Sequence, residues 1–327
     1  MTLPLGNSAA HDAFLSAITG GSLHHAWLFA GPEGVGKATF ARIAARRLLA
    51  DGAGGPPLPP GYDVPENHPT SRLIESGAHP DYRVLARAPK DDKGGAELAR
   101  SIPIAQVRAL NPMFAMAPSQ SSRRVIIIDA IDEVERPGAS NALLKNLEEP
   151  PQGTIFLLIS HAPGRLLPTI RSRCRLLRFE ALDDATMRAV LRAQQPMLPD
   201  EEVAALIAAG QGSPGRALGF AGLDMAQLDG ALTAIASDGD PSNARRAKLA
   251  KLLSPKAAQP RYEAFLDRAP AFIAAKAPGR HGVALRTALD SYDAARALSA
   301  SARGLSLDAQ ATVFEMAGLV ARLAPTS

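Results

Sequence analysis

Three short stretches of this chain hold residue types that act on phosphate. Gly31-Pro-Glu-Gly34-Val-Gly36-Lys37-Ala38-Thr39 has the G-x4-G-K spacing of a phosphate-binding loop. Glycines let successive backbone N–H groups turn toward phosphate oxygens, and a helix opening at Lys37 adds a favourable dipole. Lys37 supplies a cation for the outer phosphates. The residue after that lysine is normally Ser or Thr, whose hydroxyl ligates Mg²⁺; here it is Ala38. Thr39 lies about 100° further round a helix and should not point at the same place. The second stretch, Arg124-Val-Ile-Ile-Ile-Asp129, is an apolar run ending in an acid. Asp129 admits two readings at this level, a metal ligand or a capping acid at a strand end. Its successor is Ala130, so no carboxylate stands where one would activate water; Asp132 and Glu133 follow three and four positions on. The third stretch is Arg171-Ser172-Arg173-Cys174, whose basic side chains suit either phosphate or solvent.

The elements that must hold these groups can be read from hydrophobic pattern. Ala26–Ala30, Val125–Ile128 and Thr154–Ser160 are short apolar runs bounded by polar or turn residues, which predicts buried strands. Ser160 ends the third, where it reads equally as a polar sensor of phosphate or an ordinary strand-end serine. Lys37–Ala50 places Phe40, Ile43, Ala44 and Leu48 on one helical face and is predicted to stop at Gly52, Gly54 and Gly55. Its arginines, Arg42, Arg46 and Arg47, read as a solvated face, with phosphate contact the alternative. Asn141–Glu149 is a second helix, ended by Pro150-Pro151. Residues 51–70 and 87–96 read as loop. Strands alternating with helices predict an α/β region with a parallel sheet.

Beyond residue 180 the texture is helical. Asp183 and Asp200 are predicted N-caps, Gly210 a helix stop, and Ser213-Pro214 a further helix start. Three apolar stripes follow: Tyr262, Phe265, Leu266, Ala269, Phe272 and Ile273; Leu285, Leu289, Tyr292 and Leu298; Val313, Met316, Val320 and Leu323. They suit either an internal bundle or contacts between subunits. The predicted organisation is an α/β domain (1–180), a small helical domain (181–235) and an all-α C-terminal domain (236–327).

Composition narrows the classes. With 36 basic and 32 acidic residues the chain carries a formal charge of +4, which permits contact with nucleic acid without demanding it. No run approaches the ~18 apolar residues of a membrane span, and the first ten residues lack a signal-peptide pattern. A single cysteine, Cys174, excludes an intrachain disulfide and fits a reducing cytoplasm.

Taken in order, the motifs are specific. Asn141-Ala-Leu-Leu-Lys-Asn-Leu-Glu-Glu-Pro-Pro151, a strand ending at Ser160, and Ser172-Arg173-Cys174 resemble the bacterial DNA polymerase III clamp loader. His24-His25-Ala26 before the loop, Ala78-His79-Pro80-Asp81, and Asp129-Ala130 are most similar to its delta-prime type. The resemblance spans roughly residues 22–220; the remainder matches only in helical texture. It implies an AAA+ nucleotide-binding domain, a helical lid and a helical collar that joins a hetero-pentamer with delta and gamma/tau subunits. It also implies action on the sliding clamp and primed DNA, in the cytoplasm and away from membranes. Arg173 matches the arginine that such subunits extend into a neighbour's ATP site. Gly31, Gly34, Gly36, Lys37, Ala38, Thr39, Asp129 and Ser160 would form this chain's own nucleotide pocket, where ATP or ADP could sit without being required. Hydrolysis is expected to be absent or very weak, and a gamma/tau-like motor subunit is the alternative. Many members carry a four-cysteine zinc module after the first helix; residues 51–80 contain no cysteine, so no metal is expected. His68 and His79 read as surface or capping histidines. The lid arginine that senses phosphate in motor subunits would align near Gly215, and Arg216, one residue displaced, reads as solvated.

Overall fold

The computed structural model describes residues 3–89 and 98–325. Most of the predicted second loop, 87–96, therefore lies outside the described residues. The chain divides into two compact units, the first running to Thr186 and the second from Met187.

The first unit is a parallel sheet with helices on both faces. In chain order it comprises α1 (Ser8–Thr19), β1 (Ala26–Ala30), α2 (Lys37–Ala53), α3 (Pro69–Glu75), β2 (Tyr82–Ala86), α4 (Ile104–Arg108), α5 (Asn111–Phe114), β3 (Arg124–Asp129), α6 (Gly138–Glu148), β4 (Thr154–Ser160), α7 (Pro168–Arg171) and β5 (Arg175–Arg178). The strands lie in the order β2-β3-β4-β1-β5. Every pair is parallel: Ala26 stands beside Phe156 and Ile127 beside Leu157. The three runs predicted from apolar pattern are the three central strands. Successive side chains point to opposite faces, so a sheet covered on both sides must be apolar at every position. Trp27, Phe29, Val125, Ile127, Leu157 and Ile159 pack under α1 and α2. Leu28, Ile126, Ile128, Phe156 and Leu158 pack against α4, α6 and α7.

α2 departs from the prediction in two ways. Gly52 does not end it; the helix continues to Ala53 and stops at Gly54, where φ is 73°. Gly52 is inside because the chain before β3 crosses it. Ser122 N donates to Gly52 O at 2.7 Å, and a Cβ there would meet Ser121 Oγ at 2.2 Å. Arg46 and Arg47 are also not a solvated face, since both are buried. Arg47 donates to Asp51 and to the carbonyl of Pro59, in the loop that folds back over the helix. α6 ends at Glu148, just before the two prolines, as the pattern predicts. The two histidines do cap: His68 Nδ1 accepts from Thr70 N at the start of α3, and His79 Nδ1 accepts from Asp81 N.

Asp81 explains why a His-Pro-Asp turn precedes β2. Its carboxylate accepts the backbone N–H groups of Ser119, Gln120 and Ser121 and so ties down the chain that enters β3. That is a structural duty.

The second unit is all helical after α8 (Asp184–Gln194), whose first residues belong to the first unit. It contains α9 (Asp200–Gly210), α10 (Pro214–Gly219), α11 (Met225–Asp238), α12 (Ala244–Leu253), α13 (Gln259–Ala275), α14 (Gly282–Leu305) and α15 (Ala309–Ala321). Asp183 caps through Thr186 N and Ser213 through Arg216 N, as predicted. Asp200 does not cap; it is the first residue of α9 and pairs with Arg192. The stop of α9 is Gln211, in the left-handed region at φ 51°, one residue past the predicted glycine.

Two of the three apolar stripes are core: all six residues on α13 and the four from Val313 to Leu323 are buried. The α14 stripe is not. Leu285, Tyr292 and Leu298 are half-buried and Leu289 is 49% exposed. The buried face of α14 is instead Ala288, Ser291, Ala295, Ser299 and Ala302. Small residues let two helices approach closely, and Ser299 Oγ donates to Leu266 O on α13 at 2.8 Å.

Candidate nucleotide loop and outward arginine

β1 delivers Gly31 to the end of the sheet, and α2 begins six residues later at Lys37. Gly34 and Gly36 take left-handed backbone, φ 77° and 103°, which curls the loop back over the helix start. Two neighbours close around it. A Cβ on Gly31 would lie 2.0 Å from Phe179 O, because the chain leaving β5 is held by Phe179 N donating to Ala30 O. A Cβ on Gly36 would meet Pro4 at 3.2 Å. The segment bearing Pro4 is fastened by a reciprocal pair, with Glu180 N donating to Asn7 Oδ1 and Asn7 Nδ2 donating to Glu180 O.

Lys37 is only 2% exposed. Its ammonium donates to Gly31 O at 2.6 Å and Pro32 O at 2.5 Å, so the cation is held by the loop it is meant to serve. Burial lowers its pKa to about 8 against the opposing pull of Glu33, Asp129 and Asp132. Ala38 offers no hydroxyl, and Thr39 stands one position along the same helix. The loop glycines, the α2 N-terminus and Lys37 fit a phosphate, provided Lys37 releases its two carbonyls. Ala38 itself supplies no hydroxyl ligand for a metal-assisted site.

Asp129 at the end of β3 and the two acids that follow, Asp132 and Glu133, are all engaged. Asp129 faces Arg42 of α2 at 3.7 Å. Asp132 accepts from Ser160 Oγ at 2.9 Å and from His161 N at 2.6 Å, tying the turn after β3 to the end of β4. Ser160 is fully buried, and that bond accounts for its hydroxyl. Glu133 pairs with Arg87, beyond β2, at 2.7 Å. Sequence alone had no way to find the bonds of Asp132 and Glu133, because their partners lie 28 and 46 positions away in the chain. Among the described residues no group of three His, Cys, Asp or Glu side chains converges as a metal site.

α7 and the turn after it present the basic segment. Arg173 lies just past α7 with its side chain 34% exposed. One terminal nitrogen, Nη1, donates to Thr169 O at 2.9 Å; the other, Nη2, lies 2.6 Å from Glu148 Oε1 at the end of α6. Ser172 Oγ also donates to Thr169 O. Cys174 packs against the apolar layer below α6 and α7, and burial pushes its thiol up to about 12. The neighbouring arginines differ in duty: Arg175 lies over the Trp27 ring at 5.1 Å, while Arg171 and Arg178 line a cleft of about 540 Å³ beside Gly31 and Leu176. In the second unit Arg216 donates to Gln211 Oε1 at 3.0 Å and is half-buried against Phe220.

The first unit is thus a parallel α/β unit with a glycine-rich loop between β1 and α2, and an all-helical unit follows it in the chain. The family model described as "DNA polymerase III, delta subunit" matches residues 6–183, more than half of the chain, and this chain belongs to that family. Among curated relatives it is 35% identical over 204 residues to DNA polymerase III subunit delta' of Pseudomonas aeruginosa, covering 62% of this chain and 58% of that one. It is 31% identical over 207 residues to the Escherichia coli delta' subunit, 63% and 57% of the two chains. It is also 35% identical over 247 residues to the gamma/tau subunit of Mycobacterium tuberculosis, covering 68% of this chain and 40% of that one. The matched region thus spans little more than half of the delta' relatives' length. A solved gamma-subunit-related protein from Thermotoga maritima matches 94% of this chain and 98% of its own at 14% identity, with a TM-score of 0.47. No described helix is long and apolar enough to cross a membrane.

Proposed function

We propose that this chain is a delta-prime-type subunit of a DNA polymerase III clamp loader that does not hydrolyse ATP itself. In this reading it extends Arg173 into the ATP site of a neighbouring subunit. One observation carries the proposal: both acids able to replace the missing water-activating carboxylate are already spent, Asp132 on β4 and Glu133 on Arg87. A gamma/tau-like motor would need one of them free. Ala38 removes a metal ligand as well. Arg173, by contrast, sits half-exposed, with a planar, permanently charged guanidinium suited to developing phosphoryl charge.

The second unit would comprise a lid (181–235) and a collar (236–327). The half-exposed α14 stripe, with Val283 82% and Leu305 73% exposed on the same helix, supports the collar as the part that meets other subunits in a hetero-pentamer. Through that assembly the chain would act on the sliding clamp and primed DNA in the cytoplasm. Its own loop would hold the phosphates of ATP or ADP on Gly31, Gly34, Gly36 and Lys37 as a structural ligand.

The test is Arg173→Ala in a clamp loader reconstituted with its delta and gamma/tau partners. Assembly should survive, while DNA-stimulated hydrolysis at the site that Arg173 serves should fall about a thousandfold or more, the scale of a lost arginine finger. Unchanged ATPase refutes the role of Arg173. Lys37-dependent turnover by the isolated chain would favour the motor reading.

A further inference from the structure

Arg173 does not hang free. Two of its nitrogens are held from different directions, Nη1 by the carbonyl of Thr169 on α7 and Nη2 by Glu148 on α6. A guanidinium is planar, so two fixed points set its plane as well as its position. Among the described residues its contacts are Thr169 O, Ser172 Oγ at 3.5 Å and Glu148, which leaves at least two of its five N–H donors for an oxyanion. Glu148 is itself well placed to hold still. α6 is anchored by buried Leu143 and Leu147, and it ends at Glu148 because Pro150-Pro151 cannot continue it. The ion pair therefore links two motifs 25 residues apart, Leu-Glu-Glu-Pro-Pro and Ser-Arg-Cys.

We infer that Glu148 is a positioning residue for Arg173, fixing the guanidinium so that its free N–H edge meets a neighbour's phosphate without first being ordered. The inference rests on the trans-acting reading of Arg173. An exposed ion pair adds little to fold stability. Its value here lies in orientation, since a catalytic group misplaced by about 1 Å can lose about a hundredfold in rate.

In the reconstituted complex, Glu148→Ala should lower kcat of DNA-stimulated ATPase about tenfold and leave KM for ATP within about twofold. Glu148→Gln keeps an oxygen that can accept from Nη2 and should restore at least half of the lost rate. Both variants should assemble normally on a sizing column. In the full-length chain by itself, the Arg173 Nε–H order parameter should drop in Glu148→Ala to below about 0.6. Wild-type kcat in Glu148→Ala, with Arg173→Ala still crippled, overturns the positioning role alone. Wild-type kcat in both overturns the trans-acting reading with it. A Glu148→Gln variant as slow as Glu148→Ala also counts against the inference, because charge rather than orientation would then matter.

Discussion

Lys37 and Arg173 are both cations that donate to backbone carbonyls, yet their surroundings give them opposite capacities. Lys37 is enclosed at 2% exposure, with Pro4 and Phe179 packed on its loop and both of its bonds made to that loop. Arg173 is held from behind by α6 and α7 with donors still open to solvent. The lesson is that a basic residue's role follows from which N–H groups remain after the fold has taken its share. The Lys37 ammonium is closed in by its own loop; the Arg173 guanidinium keeps an outward edge.

Glycine substitutions test that contrast most severely. Gly31→Ala would push a methyl to within 2.0 Å of Phe179 O, a backbone atom that cannot rotate away. We expect a loss of about 3 kcal/mol or more, read from the denaturation midpoint in urea. Gly164, which lines the same cleft as Gly31, has nothing within 4 Å of its would-be Cβ. Gly164→Ala should stay within about 0.5 kcal/mol of wild type. Equal losses at the two sites would mean that Phe179 does not close on the loop at Gly31.

Asp132 offers the next test. If its task is to bind Ser160 and the N–H of His161, then Asp132→Ala leaves a buried hydroxyl and an amide without a partner. The cost should be about 2 kcal/mol, measurable by thermal or urea unfolding. The ATPase of a complex reconstituted at limiting temperature should be unaltered per assembled particle. A stable variant with reduced turnover would instead mark Asp132 as a participant in hydrolysis.

The same contrast separates what sequence reveals from what it conceals. β1, β3 and β4 were legible because strands buried on both faces must be apolar throughout, and a run such as Val125–Ile128 has no other economical reading. The curl of the loop was legible because Gly34 and Gly36 stand where the backbone turns left-handed before α2. The engagement of Asp132 and Glu133 was not, since it depends on which strand ends the topology brings together. Arg47 was misread for a related reason: helix periodicity identifies the face toward the sheet but says nothing of a later loop, here residues 59–63, folding over the other side. On α14 the error lay in equating burial with size. Close helix contact selected Ala288, Ala295 and Ser299, leaving Leu289 outside. The pairing of Glu148 with Arg173 needed α6 and α7 to be adjacent, which no local pattern specifies.

The finest test concerns the proton on Lys37. Its pKa is lowered to about 8 by burial, while in the unfolded chain it returns to its ordinary value of 10.5. Below pH 8 both states carry the proton, and the folded state bears the full cost of an enclosed ammonium. Between pH 8 and 10.5 the unfolded state binds more protons than the folded one, so this group makes stability rise with pH. Cys174 works the other way above pH 9, because its raised pKa means that only the unfolded thiol ionises there. Comparing wild type with Lys37→Met cancels the cysteine. The stability difference should shift in favour of wild type by about 1 kcal/mol from pH 8 to pH 9 in urea titrations. A difference that stays flat would mean that the ammonium already reaches solvent, and the loop would then be as open as the outward edge of Arg173.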